Sequence, residues 1–471
     1  MWKQLNSHEK HHKPINPKKK MILTLKNIGI IKDAKIAFNG LTIIAGKNDT
    51  GKSTVGKLMF TIVKALSRFE QDLYENQKNK IIEIIESIYF QVRRQYSFAE
   101  NKNLRKEFHP PYFFKQIEKL LNNNELEEIE IILENKINLL RNYLIKSRDE
   151  YHLLQKIIDD IHKLKVLTTT KEDKKFVITR ALTKAFISEF GFEITPKYSN
   201  LKSSIDFSEG ANNIFAIELA NNKITEFTLY DEVFFNDVTF IDAPILLQMY
   251  DVISSARTLL EIINEDDKEQ RLIKSSRPKV SLHIKDLISK LENAQYFSPD
   301  LFNVSYQKFS QNINKLIQGK FQFNKKQKDF LFKKAINQEQ SIKLKSINTA
   351  SGIKSFGILQ LLMESDFIDE RSLLIIDEPE THLHPQWQIE YARLIVMLVT
   401  EYNIPVLLSS HSPYMIQAIK VFSEKNNIQD KTKCYLAEET VNNMTNIIDV
   451  TDDLNRVFKI LSEPLQELVW D

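Results

Sequence analysis

The stretch Gly46-Lys47-Asn48-Asp49-Thr50-Gly51-Lys52-Ser53 decides the fold of this chain, because it matches the pattern G-x-x-x-x-G-K-[ST]. The apolar run LTIIA, residues 41–45, precedes it, and the helix-like run STVGKLMFTIVKAL, residues 53–66, follows it. In this strand-loop-helix context the glycines let the backbone curl around phosphates, while Lys52 reaches the β- and γ-phosphates and Ser53 holds Mg²⁺. The alternative is a plain glycine-containing turn. The nucleotide-binding residues predicted from this motif are Gly46, Lys47, Asn48, Asp49, Thr50, Gly51, Lys52, Ser53 and Thr54.

A second motif, LLIIDE at residues 373–378, has the form of a buried strand that delivers two carboxylates to its end. Asp377 is predicted to hold the Mg²⁺ ion, together with Ser53. Glu378 is predicted to orient the water that attacks the γ-phosphate, which makes it a catalytic residue alongside Lys52. The alternative is a strand end with a solvated acidic pair. The two motifs together predict ATP and Mg²⁺ as cofactors and ATP hydrolysis to ADP and phosphate as the reaction.

Composition excludes several other classes of protein. A formal charge of +3 over 471 residues is too balanced for a polybasic nucleic-acid binder, although a local basic patch remains compatible with it. The single cysteine, Cys434, excludes a disulfide framework and any cysteine-rich metal site, and it fits the reducing cytoplasm. The sequence has neither a signal-peptide pattern nor an apolar run long enough to span a membrane. We therefore expect a cytoplasmic protein without a membrane partner.

Changes of periodicity along the chain predict an α/β P-loop fold with an antiparallel β subdomain and a long helical insertion. An Asn39-Gly40 turn predicts a hairpin before the first buried strand, and FEITPKY, residues 192–198, has a strand-like pattern. The long amphipathic helices are expected to break at His109-Pro110-Pro111. The predicted segments are a basic tail at 1–20, with Met1 or Met21 as the start, the first part of the ATPase head at 21–66, the helical insertion at 67–190, a β-rich part at 191–243, a second helical segment at 244–320, and the last part of the head at 321–471.

The texts DEPETHLHP, residues 377–385, and LLSSHSP, residues 407–413, resemble the ABC-type ATPase core of the AAA_15/AAA_21 group, which is OLD-like and related to RecF and SMC. The resemblance is specific over residues 21–60 and 345–415 and only architectural between them. It implies that residues 380–384 form a D-loop that reaches across a dimer. It also implies that His411 is a catalytic switch histidine that contacts the γ-phosphate.

The same resemblance extends to NTASGIKS, residues 348–355, which is similar to a degenerate signature motif. Ser351 and Gly352 would then bind the nucleotide held by the opposite subunit, and the alternative is an ordinary helix start. The Q-loop residue is either Asp242 or Gln248. His382 and His384 either belong to the D-loop or form part of a metal site, for which a third ligand of suitable spacing is missing from the sequence nearby.

The resemblance further implies a slow switch in which two copies close around ATP and separate after hydrolysis. No acidic Toprim-like nuclease segment follows His411, so we expect a separate effector nuclease, as in two-component antiphage systems such as Septu, PARIS or certain retrons. The helical insertion is either a lobe that packs on the core or a projecting, partner-binding arm. Two rival hypotheses remain, namely a RecF/SMC-like DNA-repair ATPase that binds nucleic acid and the nucleotide-binding subunit of a membrane transporter.

Overall fold

The computed structural model describes residues 20–38, 40–95, 101–123, 125–142, 148–169, 173–191, 193–197, 201–256, 258, 279–294, 304–336, 340–365, 367–440 and 443–470. The chain divides into two compact units. The first, here called the head, consists of Met1–Ser67 together with Thr179–Asp471, and the second, the helical unit, consists of Arg68–Ile178.

Within the described ranges, an eleven-stranded sheet organises the head, with strand order β6-β5-β4-β1-β2-β14-β13-β3-β12-β11-β7. A separate three-stranded antiparallel sheet has the order β10-β9-β8. The strands are β1 Met21–Ile28, β2 Ile31–Phe38, β3 Leu41–Gly46, β4 Ser203–Glu209, β5 Asn212–Ala220, β6 Lys223–Leu229, β7 Asp237–Ile241, β8 Gly319–Asn324, β9 Asp329–Ala335, β10 Ser341–Lys345, β11 Ser372–Asp377, β12 Val406–Ser410, β13 Thr432–Glu439 and β14 Thr445–Asp449.

One half of the large sheet is parallel, and this half positions the site. Strands β3, β12, β11 and β7 are consecutive neighbours and all run in the same direction. Every residue of β3 and β12 is buried, as expected for strands covered on both faces, and this explains why their sequences, LTIIAG and VLLSS, contain no charged residue. Because parallel strands end at the same edge, the segments that follow these four strands meet there.

The rest of the large sheet is mixed, because β14 pairs with β2 in parallel and with β13 antiparallel, while β6, β5, β4, β1 and β2 are antiparallel neighbours. This part of the sheet corrects two of the expectations. The hairpin joins β1 and β2 through Gly29 and Ile30, whereas β2 and β3 are not neighbours in the sheet, so the segment at Asn39-Gly40 joins no hairpin. Asn39 itself lies outside the described residues. Residues 193–197 of FEITPKY form no strand, because the Asn222 side chain accepts the backbone N–H groups of Ile194 and Thr195 at 2.9 and 2.8 Å.

The helical unit is built on amphipathic helices around its own apolar core. Its central element is α1, a continuous helix of 44 residues that begins in the head, and its face with Ile81, Ile85, Ile88 and Val92 is fully buried. The predicted break is confirmed, because α2 ends at Glu107 and α3 begins at Pro110, where a missing N–H costs nothing. The helices are α1 Lys52–Gln95, α2 Lys102–Glu107, α3 Pro110–Asn123, α4 Leu126–Arg141, α5 Arg148–Thr169 and α6 Lys174–Phe190.

The remaining helices belong to the head and, together with the sheet, enclose a large apolar core. They are α7 Tyr250–Ser255, α8 Leu282–Asn293, α9 Val304–Ile317, α10 Ser351–Met363, α11 Pro385–Glu401, α12 Pro413–Lys425 and α13 Leu454–Trp470, and a 3-10 turn at Pro244–Met249 precedes α7. Helix α10 has almost no exposed residue, which identifies it as a central core helix. No helix in the described ranges combines the length and apolar character of a membrane span.

Candidate nucleotide-binding site

The glycine-rich loop joins β3 directly to α1, and two of its glycines are required by shape. Gly51 has a left-handed φ of +82°, and a Cβ there would meet Ile31 Cγ1 at 2.9 Å. A Cβ on Gly46 would meet the Ala437 carbonyl oxygen at 2.8 Å. Helix α1 starts at Lys52 without an acidic residue in its first turn, so its N–H groups and dipole favour an anion at this end.

The Lys52 ammonium lies inside the loop rather than in solvent. Its Nζ donates to the Lys47 carbonyl oxygen at 2.6 Å and is 3.7 Å from Glu378 Oε1. Burial lowers the pKa of Lys52, and the negative charges of Glu378 and Asp377 oppose that effect. The structure thus brings the predicted phosphate-binding lysine to the two predicted acidic residues.

Ser53 and Asp377, the predicted metal ligands, are in contact. Ser53 Oγ donates to Asp377 Oδ1 at 3.1 Å, and Ser409 Oγ donates to the same oxygen. Burial raises the pKa of Asp377, and these two hydrogen bonds oppose the shift. A hydroxyl and a carboxylate are hard oxygen donors of the kind that Mg²⁺ prefers, and they lie beside the start of α1, so the residues present fit a phosphate-bound Mg²⁺ ion.

Glu378 lies between the lysine and the predicted switch histidine. Its Oε1 is 3.5 Å from His411 Nδ1, and its backbone N–H donates to the Ser409 carbonyl at 3.0 Å. The backbone of Glu378 has a left-handed φ of +44°, a conformation that costs free energy for a residue with a side chain. The fold therefore holds this carboxylate at the edge of the sheet, between Lys52 and His411.

The buried carboxylate of Glu380 holds the loop that carries His411. Its Oε1 accepts from the backbone N–H groups of His411 and Ser412, at 2.6 and 3.1 Å, and from Ser410 Oγ at 2.7 Å. Three donors on one buried oxygen join the predicted D-loop to the end of β12. Glu380 therefore has a role within its own subunit, whereas the sequence suggested only a role across a dimer.

The signature-like residues lie beside the predicted D-loop. Ser351 is the first residue of α10, as its text suggested. A Cβ on Gly352 would meet the ring of Trp387 at 3.1 Å and Leu383 Cδ2 at 3.2 Å, so the start of α10 packs on the segment that follows Glu380. The signature-like and D-loop segments are thus in direct contact within one chain.

The two Q-loop candidates have different surroundings. The Gln248 side chain accepts a hydrogen bond from Lys354 Nζ, and this bond ties the 3-10 turn to α10. Asp242 directly follows β7, and because Ile241 pairs with Ile376, it lies at the same edge as Asp377. Its charge also contributes to the raised pKa of Asp377. Of the two candidates, the structure brings Asp242 to the acidic pair.

The other predicted residues have less direct roles. Lys47 pairs with Glu463 on α13 at 2.7 Å, Thr50 Oγ1 closes the loop onto the Lys47 carbonyl at 2.8 Å, and the Thr54 N–H donates to the Gly51 carbonyl. Asn48 and Asp49 are exposed in the loop. His384 caps α11, and among the described residues no group of three or more His, Cys, Asp or Glu side chains is placed to hold a metal ion. The assignment of His382 and His384 to the D-loop stays a prediction.

Sequence reasoning missed several residues that the structure joins to this site. Ser409 donates to Asp377 from the neighbouring strand, and its position two residues before His411 could have signalled it. His283 and Glu189 form a buried pair behind Asp242. Nothing in their local sequence marks them, since they lie 41 and 53 residues from Asp242 in the chain.

Comparison with known proteins places this site within a family. Residues 21–416 match the AAA_15 family, an AAA ATPase domain. The chain is 40% identical over 53 residues to the Septu protein PtuA of Bacillus thuringiensis, and 32% identical over 73 residues to protein ea59 of Escherichia phage lambda. Each of these matches spans 13% of the length of the relative.

Solved structures that resemble the chain include an SMC head domain from Thermotoga maritima, with 12% identity, coverage of 92% of this chain and 98% of that chain, and a TM-score of 0.35. Another is an SMC head bound to the C-winged helix domain of ScpA, with 10% identity, coverage of 93% and 99%, and a TM-score of 0.39.

Proposed function

The chain belongs to the AAA_15 family of AAA ATPase domains, and we propose that it binds Mg-ATP at the loop around Lys52 and hydrolyses it slowly to ADP and phosphate. One observation carries this proposal. The side chains of Lys52, Ser53, Asp377, Glu378 and His411 converge at the carboxyl edge of four neighbouring parallel strands. Each of these residue types has a defined task in phosphoryl transfer.

The division of tasks follows from the geometry. The loop N–H groups, the start of α1 and Lys52 bind the phosphates, while Ser53 and Asp377 hold the Mg²⁺ ion. Bound Mg²⁺ supplies positive charge that neutralises the phosphate oxygens. Glu378 accepts a proton from the attacking water as the water oxygen bonds to the γ-phosphorus and ADP leaves. We assign His411, held by Glu380, to the γ-phosphate and to the positioning of Glu378.

We further propose that two copies close around the nucleotide. The surface formed by Ser351, Gly352 and the D-loop packs together within one chain, at the start of a helix whose N-terminus attracts anions. In a two-fold dimer this surface of one copy would cover the P-loop of the other. ATP then joins the copies, and hydrolysis removes the contacts that the γ-phosphate makes.

A single variant tests both parts of this proposal. Glu378→Gln should retain ATP binding but lose at least about a hundredfold in hydrolysis, because the amide cannot accept the proton. With Mg-ATP it should accumulate as a dimer, which light scattering coupled to size exclusion measures. Ser351→Arg, made in the same background, is the matched control and should bind ATP as a monomer. A Glu378→Gln protein that stays monomeric at saturating Mg-ATP would contradict the dimer.

For the biological role, we propose the switch subunit of a prokaryotic antiphage complex with a separate effector nuclease. The support is the 53-residue similarity to the Septu protein PtuA and the resemblance of the motifs to stand-alone ATPases of that type. The test is to purify the tagged chain from its own host and to identify the proteins bound to it. Purification of a fully protective protein without any partner would contradict this role.

A second candidate function, an ATPase that binds DNA, is favoured by a row of lysines on the small sheet. Lys333 on β9 pairs with Lys320 on β8 and with Lys343 on β10, although like charges opposite one another are unfavourable. Lys320 also pairs with Glu364 at 2.9 Å. A polyanion would relieve this repulsion. DNA-stimulated hydrolysis with a steep salt dependence, lost in Lys333→Glu, would support this candidate.

A further inference from the structure

The carboxyl edge of β3, β12, β11 and β7, at which Lys52, Asp377 and Glu378 meet, is here called the catalytic edge. A series of three buried or half-buried ionisable side chains leads away from it. Glu189 near the end of α6 accepts two hydrogen bonds from His283, one from the backbone N–H at 2.9 Å and one from Nδ1 at 2.6 Å. The other ring nitrogen, Nε2, faces Asp242 Oδ2 at 3.7 Å. Glu189 and His283 are almost fully inaccessible to solvent, while the Asp242 side chain is 45% exposed.

The Nε2 atom of His283 is the one atom of this series that is unusual. It is buried and has no hydrogen-bond partner, because 3.7 Å is beyond hydrogen-bond distance. Phe60 and Phe240 pack against the imidazole, with ring centroids 6.0 and 4.8 Å away, so they exclude water from it. An unpaired buried N–H costs free energy unless a small movement supplies a partner, and the Asp242 carboxylate lies 3.7 Å from this atom.

The two outer residues of this series, Asp242 and Glu189, lie at the candidate site and at the end of α6. Asp242 lies beside Asp377, so it adds negative charge where the residues fit a divalent cation. Glu189 is the penultimate residue of α6, the helix that carries the polypeptide from the helical unit back into the head. The Glu189 carboxylate also meets the first turn of α8, where an anion is favourable.

We propose that Glu189 and His283 are positioning residues that hold the Asp242 carboxylate at the Mg²⁺ side of the nucleotide site, and that the contact from His283 Nε2 to Asp242 closes when Mg-ATP binds. The proposal rests on the proposed function. It makes α6 and α8 sensitive to the occupancy of the site, because closing the contact requires His283, and with it the start of α8 and the end of α6, to approach β7.

Two substitutions of His283 test this arrangement, because each puts an amide nitrogen at the position of a different imidazole nitrogen. In His283→Asn the amide nitrogen replaces Nδ1 and still faces Glu189, whereas in His283→Gln it replaces Nε2 and still faces Asp242. The measurement is the Mg²⁺ concentration at half-saturation of ATP binding, by calorimetry on the full chain. We expect His283→Asn and Asp242→Asn each to raise it about tenfold, as for one lost hydrogen bond to a charged group, and His283→Gln to raise it much less.

The double variant Asp242→Asn with His283→Asn distinguishes positioning from an effect on folding. If His283 acts through Asp242, the double variant should need no more Mg²⁺ than Asp242→Asn alone, whereas two independent effects would multiply to about a hundredfold. Glu193→Gln, an exposed residue paired with Lys197 near the end of α6, is the control and should behave as wild type.

Hydrogen exchange supplies a readout that does not depend on hydrolysis. Mg-ATP should slow exchange of the amides at residues 184–190 and 283–287 in the wild type and not in Asp242→Asn. Two outcomes would overturn this inference while leaving ATP binding by the wild type intact. One is a double variant whose Mg²⁺ requirement is the product of the two single effects, and the other is amide exchange that Mg-ATP slows as much in Asp242→Asn as in the wild type. A wild-type protein that binds no Mg-ATP would instead overturn the proposed function and this inference with it.

Discussion

The charges at the two ends of β7 are arranged in opposite ways. At its start, Asp237 belongs to a cluster of two lysines and two aspartates, with Lys64 Nζ 2.8 Å from Asp286 and Lys290 Nζ 2.6 Å from Asp237. The formal charges of this cluster sum to zero. At its end, Asp242 lies among further carboxylates at the catalytic edge and faces a histidine that does not reach it.

The difference separates a structural group of charges from a functional one. In the cluster at Asp237, burial opposes ionisation, but Lys290 and Lys64 outweigh it and lower the pKa of the carboxyl. A balanced cluster of this kind fixes α1 and α8 against the strand and has no further charge to bind. The catalytic edge has an excess of carboxylates, which a bound cation can neutralise. One strand therefore anchors the head at one end and leads into the candidate nucleotide-binding site at the other.

The largest expected effect on stability comes from removing one lysine of the charge cluster at the start of β7. Lys290→Met removes one of the two cations and leaves Asp237 and Asp286 buried with a net negative charge, so we expect the free energy of unfolding to fall by about 3–5 kcal/mol. Chemical denaturation measures this change. Lys308→Met is the matched control, because its exposed pair with Glu401 contributes about 1 kcal/mol or less. Equal losses in the two variants would contradict the distinction.

The next largest expected effect is on the pH dependence of the free energy of unfolding, which differs between the two ends of β7. The carboxylates Glu189 and Asp242 outweigh burial and raise the pKa of His283 to about 9, above its ordinary value of 6.5. Because its pKa is raised in the folded state, the charged imidazole stabilises the fold by about 3 kcal/mol. This contribution is fully present below pH 6.5 and is lost as the pH rises through 9. Asp237 has a lowered pKa, so its contribution is lost in acid instead.

Denaturation curves at pH 6 and pH 9.5 measure the alkaline loss. The wild type should lose more stability over this range than His283→Gln, in which no imidazole titrates, and the difference between the two slopes isolates His283. Parallel pH dependence in the two proteins would show that the imidazole is not stabilised in its charged form.

The sequence predicts the parts of the site that are local and misses those that packing brings together. The P-loop and the acidic pair each lie within eight residues and carry their own strand context, so their placement follows from the text. The chain from Glu189 through His283 to Asp242 joins three distant segments, and no local pattern marks it. The misplaced hairpin has the same cause, because β14 and β13 lie between β2 and β3 in the sheet.

The smallest expected effect on stability comes from the buried carboxylate of Glu380 at the catalytic edge. Its Oε1 accepts three hydrogen bonds, whereas its Oε2 is buried without a hydrogen-bond partner. In Glu380→Gln the amide oxygen can keep the three bonds, and the loss of their charge assistance is offset by the removal of a buried charge. We therefore expect the free energy of unfolding to change by about 1 kcal/mol or less. ATP hydrolysis should nevertheless fall about tenfold, because weaker bonds hold His411 less firmly beside Glu378. Denaturation and steady-state hydrolysis measure the two quantities in one preparation, and a loss of stability as large as that of Lys290→Met would mean that Glu380 belongs with the structural charges instead.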